Sequence, residues 1–234
     1  MSMNEKEIAK HSIDTDQNAS KTIKQTDPLQ RQAEKDLEAE ENSPMDPPEA
    51  YNAETVNDVE YDQMNVILQN FMDDHEKCIE QIIQFEKSLI AFKEQGYVLN
   101  DVINTAFSEF YQFFDNSIMD HNQREEKHLF PLLHKRLIES GESAEGDNPH
   151  TAVDMMEDDH IKFIQLATLS FNLFGLAPRL QDIPSQRFVY DTAFSSAQEL
   201  IEMLRLHIYR EDKILFPLAH KLISQDEFAI MNED

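Results

Sequence analysis

From residue 58 onward, apolar residues recur at steps of three and four. Met64, Leu68, Phe71, Ile79, Ile82 and Leu89 form one such stripe, which predicts a helix with a single buried face. Gln95-Gly96-Tyr97 ends it, since glycine there favours a helix stop. A second stripe runs through Ile103, Phe107, Phe110, Phe114, Ile118, Leu129 and Leu132, and Ser140-Gly141-Glu142-Ser143 closes it. The third carries Val153, Met156, Phe163, Ala167, Phe171 and Phe174; after residues 175–184 the fourth carries Phe194, Ala197, Ile201, Leu204, Leu215 and Leu218. Four amphipathic helices on short connections predict an all-α fold, an up-down-up-down four-helix bundle over residues 57–228.

Residues 1–56 have a different texture, rich in Gln, Glu, Asp, Lys and Asn. Such a segment cannot bury enough apolar surface to offset its ordering entropy, so a disordered acidic tail is expected. A transient helix over residues 27–41 would stop before Pro44, Pro47 and Pro48.

Six polar residues interrupt the apolar stripes: His75, His121, Glu125, His160, His207 and Glu211. They fall in a repeat. Asp73-Asp74-His75-Glu76-Lys77 is echoed by Asp158-Asp159-His160-Ile161-Lys162, and the run from His121 to Pro131 by the run from His207 to Pro217. A repeated helical hairpin predicts an approximate two-fold axis. In an antiparallel hairpin, two residues lie level when the turn falls midway between them, because the rise per residue is constant. His75 and His121 average to position 98, beside Gly96; Glu125 and His160 to 142.5, beside Gly141; His160 and His207 to 183.5, beside Pro184. All six therefore fall at one height.

A His and a Glu four residues apart share a helix face. Burying two carboxylates beside four histidines without a cation costs several kcal/mol per ionised group. Two Glu and four neutral His carry a net charge of −2, suited to two divalent ions with bridging carboxylates and open positions. Pro131 and Pro217 each free a carbonyl four residues earlier, which predicts a kink just past the site.

The pattern His, His-x3-Glu, His, His-x3-Glu, with Leu-Phe-Pro after both His-x3-Glu groups, resembles the hemerythrin family and its HHE cation-binding domain over roughly residues 58–225. The resemblance implies a non-haem di-iron centre bridged by Glu125 and Glu211, with His75 and His121 on one iron and His160 and His207 on the other. Zinc and manganese are the alternatives that mixed His/carboxylate sites accept. Oxygen-carrying hemerythrins have a further histidine at the position of Ile164 and an aspartate at that of Glu211. The implied class is therefore the four-His, two-Glu proteins, which bind, sense or reduce oxygen, nitric oxide or peroxide. Two other functions are compatible: an iron donor or store for repair of damaged iron centres, and an interaction module with a structural metal. Nothing in the sequence decides whether the protein is an enzyme.

Other polar residues have plainer readings. Glu126 and Asp212 point about 100° from their neighbouring glutamates and suit solvent or supporting roles. His128 is expected as a supporting or core histidine, His134 and His220 as helix-end caps, and His150 at the opening of helix three. Cys78 reads as a buried thiol, and Phe71, Phe107, Phe114 and Phe171 as core.

Composition narrows the rest. Four Gly and nine Pro in 234 residues argue against a turn-rich β fold. The net charge of −26 disfavours nucleic acid and anionic membrane, both polyanionic, and lets the acidic tail contact a basic partner. One cysteine excludes an internal disulfide framework. With no signal-like start and no apolar run of about 18 residues, a cytoplasmic location is expected.

Overall fold

The computed structural model describes residues 59–143 and 149–231; the expectations for the tail lie outside them. The described residues are all-α, with five helices and no strand. Helix α1 is Val66–Glu94. Helix α2 spans residues 101–140, helix α3 is Ala152–Leu176 continued by a 3-10 turn at Ala177–Arg179, helix α4 spans residues 183–222, and a short α5 is Gln225–Met231. α1 lies against α2 and α4, and α3 against α4 and the end of α2.

Each long helix begins on a side-chain cap. Asn65, Asn100, Thr151 and Asp182 accept from the N–H groups of Ile67, Ile103, Val153 and Ser185, satisfying donors that the helix cannot. At the other ends, Gly96 and Gly141 take φ of +72° and +84°, a conformation that glycine adopts without steric cost. Both stops coincide with the breakers legible in the sequence.

The helices depart from the regular α period where the prolines led one to expect a change. The local departure at Pro131 and Pro217 takes the form of π-helical turns at Glu125–Leu129 and Glu211–Leu215, in which the N–H of Phe130 bonds to the carbonyl of Glu125 and that of Phe216 to Glu211. A third π turn occupies Phe114–Ile118. Each inserts an extra residue per turn and so rotates the face that follows. Hence Phe130, Leu133 and Leu137 are buried where the unbroken period points to Leu132, and Phe216 and Ala219 where it points to Leu218.

Away from the polar residues the core is aromatic. Phe85 stacks on Phe110 at 3.9 Å between centroids, and Phe92 meets Phe107, Phe174 and Tyr190 edge-on. Burying each such ring contributes roughly 1.5–3 kcal/mol. Phe171 is a correction: it is 57% exposed, and Ser170 occupies the interior beside it, accepting from the Tyr111 hydroxyl at 2.8 Å. The expectation that no segment reaches bilayer length also needs amending. By length and composition, Ala152–Arg179 could cross a membrane, with a window of mean hydropathy 1.2; it carries His160 on its buried face and packs along α4.

Candidate metal centre

The six polar residues meet. His75 comes from α1, His121 and Glu125 from α2, His160 from α3, and His207 and Glu211 from α4; none is more than 6% exposed. They form two groups in which each residue offers one donor atom within 4.8 Å of the others: His75, His121, Glu125 and Glu211, and Glu125, His160, His207 and Glu211. Both glutamates belong to both groups. Glu125 presents one oxygen 3.3 Å from Nε2 of His121 and the other 3.5 Å from Nε2 of His160. Oε2 of Glu211 lies 3.1 Å from His75 and 3.2 Å from His207.

The imidazoles face each other through their Nε2 atoms, His75 to His121 at 3.0 Å and His160 to His207 at 3.2 Å. Their outer nitrogens turn to carboxylates. Nδ1 of His75 lies 2.7 Å from Asp212, Nδ1 of His160 2.8 Å from Glu126, and Nδ1 of His207 3.4 Å from Asp159. The fourth, Nδ1 of His121, is 3.8 Å from Asp74, beyond hydrogen-bond range, and has no partner. A carboxylate on Nδ1 keeps the proton there and turns the Nε2 lone pair inward. In the His160–His207 pair, where both outer nitrogens meet carboxylates, two lone pairs at 3.2 Å repel unless a cation stands with them.

The glutamates make the same demand. All four of their side-chain oxygens are buried without a hydrogen-bond partner, an arrangement that native interiors avoid unless an ion completes it. Without metal, protons must serve. Burial opposes charge on His75, but Asp212 and Glu211 outweigh it and raise its pKa to about 10. Burial likewise opposes charge on His207, and Glu211 and Asp159 lift it to about 9. Burial and the neighbouring charge of His207 push His160 down to about 4. Burial and the charge of Glu211 raise Glu125. Burial disfavours ionised Glu211, yet His207 and His75 hold it well below the usual carboxylate range. Burial opposes charge on His121 too, but Glu125 and Asp74 raise it. The metal-free site thus holds added protons on the histidines, His75 and His207 foremost. The donor set fits a metal: mixed imidazole and carboxylate, buried, with shared carboxylates between two pairs.

Aromatic rings wall the site. Phe216 stacks on His75 and Phe130 on His160, each at 5.6 Å, and Phe71 meets His121 edge-on at 5.2 Å. These two stacks repeat across the halves, as do the ion pairs Arg124–Asp74 and Arg210–Asp159.

Sequence reasoning missed Asp159 as the partner of His207, and Asp74, which approaches His121 without bonding it and pairs with Arg124, although both stand directly before a histidine in the repeated unit. Glu126 and Asp212 take the supporting role that their angle allowed. His128 does neither thing expected of it. It lies half-buried away from the centre, beside Leu132 and Ile230 in a shallow surface hollow. His134 and His220 do attend helix ends, each at the start of the other half: Nδ1 of His134 lies 2.9 Å from Thr151, the cap of α3, and Nδ1 of His220 accepts from the N–H of Asn65, the cap of α1, at 3.2 Å. His150 directly precedes the cap Thr151, and the Cys78 thiol is buried.

A family model described as the hemerythrin HHE cation binding domain matches residues 66–219, a span that contains all six residues. No curated protein and no solved structure matches the chain.

Proposed function

Because the chain belongs to the hemerythrin family of HHE cation-binding domains, we propose that its helices form an up-down-up-down four-helix bundle around two iron ions. The pair serves to bind, sense or reduce a small molecule: oxygen, nitric oxide or peroxide. The observation that carries this reading is the pair of buried, partnerless carboxylates, each shared between two facing imidazole pairs.

In this reading His75 and His121 hold one ion, His160 and His207 the other, and Glu125 and Glu211 bridge them. Iron, when bound, would supply one-electron redox chemistry there. The chain does the rest. Asp212 and Glu126 fix the orientation of His75 and His160, while Phe71, Phe130 and Phe216 keep the surroundings dry and lower the local dielectric. Ile164, where oxygen carriers have a further histidine, is 39% exposed and offers no donor, which favours sensing or reduction over reversible carriage.

The test is to load the protein with ferrous iron without oxygen, measure metal content, then admit oxygen or nitric oxide and record the optical spectrum. Two irons per chain and new absorption bands are expected. Stoichiometric zinc with no spectral response would sink the reading.

A further inference from the structure

The two halves of the domain agree at the six centre residues and part company immediately beside them. Three residues after His75 stands Cys78, and three after His160 stands Phe163; one residue after His121 stands Asn122, and one after His207 stands Ile208. These four residues line one cavity of about 200 Å³. It reaches His75, His121 and His207, and Lys77 and Arg124 also line it.

The asymmetry decides where space is left. Phe163 meets His207 edge-on at 5.0 Å and lies 6.1 Å from His160, so its ring covers that half of the centre. Cys78 is far smaller than the ring at the equivalent position, and the cavity is lined mostly by α1 and α2 residues on its side, with Phe163 of α3 and Leu204, His207 and Ile208 of α4 closing it. A space of this size takes several waters or a molecule of a few heavy atoms.

Asn122 gives that side its chemistry. The residue is 5% exposed, and its Nδ2 is buried with no hydrogen-bond acceptor among the described residues. A buried donor without a partner is destabilising, and an apolar residue of the same shape avoids that cost. Ile208 shows that the fold accepts an apolar residue at the equivalent position. Retaining the amide therefore points to a ligand that completes it.

We propose that this cavity binds a small ligand carrying a hydrogen-bond acceptor, and that Asn122 donates to it, positioning it against the His75 and His121 side of the centre. The inference rests on the metal reading above. Asn122 is a positioning and selecting residue here: it favours ligands with an acceptor atom over apolar ones of equal size, because only the former satisfy the buried amide.

The probe is azide, titrated optically into ferric-loaded full-length protein, with metal content and melting temperature measured on the same samples. Asn122→Leu should keep its metal, melt at the wild-type temperature or above, and bind azide about five- to tenfold more weakly, the loss expected for one hydrogen bond. A purely structural asparagine would give the reverse, a lower melting temperature and unchanged azide affinity, and that result overturns the proposal. Cys78→Phe, which copies the closed half and leaves Asn122 in place, should block azide while retaining metal. Unchanged azide binding in that variant also overturns it, even if Asn122→Leu fails to fold. Wild-type protein without stoichiometric metal would overturn the functional reading and this inference together; metal present with azide binding indifferent to both substitutions overturns this inference alone.

Discussion

Oδ1 of Asp212 lies 2.7 Å from Nδ1 of His75, so the last long helix orients a histidine on the first. Glu126 does the same for His160 at 2.8 Å. Both carboxylates directly follow the glutamates proposed to bridge the metals, so one helical turn supplies a ligand and steadies another on a neighbouring helix. Asp212→Asn keeps the shape and removes the charge. It should lower metal affinity about 10- to 100-fold, the usual cost of losing such a partner, with helix content by circular dichroism unchanged. Equal affinity in a competition titration would show that Asp212 does not act through His75.

Metal binding should release protons. With His75 raised to about 10 and His207 to about 9, the metal-free site holds a proton on each at neutral pH, and ions must displace these. These raised values stabilise the metal-free fold fully below the unfolded histidine value of about 6.5, and that contribution is lost as pH rises through 9 to 10. The metal-free melting temperature should therefore fall over that window while metal affinity rises. Proton release can be read from calorimetric titration in buffers of different ionisation enthalpy; about two or more protons per chain at pH 7 are expected, and none would contradict the assignment.

The π turns make a sharp claim about register. Leu133 is fully buried, while its neighbour Leu132 is only half-buried. Leu133→Ala should cost about 2–5 kcal/mol, the range for emptying a packed core position, and Leu132→Ala clearly less. Urea denaturation of the two variants checks this; the opposite order would place the core face where an uninterrupted α-helix puts it.

Thr151 caps α3 in a reciprocal box with Asp154 and also contacts His134 at 2.9 Å. Thr151→Ala should cost about 1–2 kcal/mol by thermal or chemical melting, at the upper end for a cap. A change near zero would mean that solvent satisfies that helix end equally well.

Much of this was legible in the sequence because it depends on periods and constants. The helix stops at Gly96 and Gly141 follow from local backbone chemistry, and the meeting of six side chains follows from a constant rise about the turns between them. What the period could not carry is any place where the period itself changes. The π turns at Glu125 and Glu211 shift the register by one, which hid Leu133 and Ala219 behind Leu132 and Leu218. Phe171 was assigned by hydrophobicity, yet the interior at that level is filled by a Ser170–Tyr111 hydrogen bond that no apolar count detects. The contact of Asp159 with His207 was not legible because it depends on where the α4 histidine ends up across a helix interface.

The account turns on Glu125 and Glu211 being shared by two ions. The most direct measurement is metal content per chain after anaerobic loading, for wild type and for Glu125→Ala. Two ions in the wild type are predicted, with occupancy of both positions falling in the variant because one carboxylate serves both. A wild-type plateau at one ion or none, or full occupancy in Glu125→Ala, would contradict it.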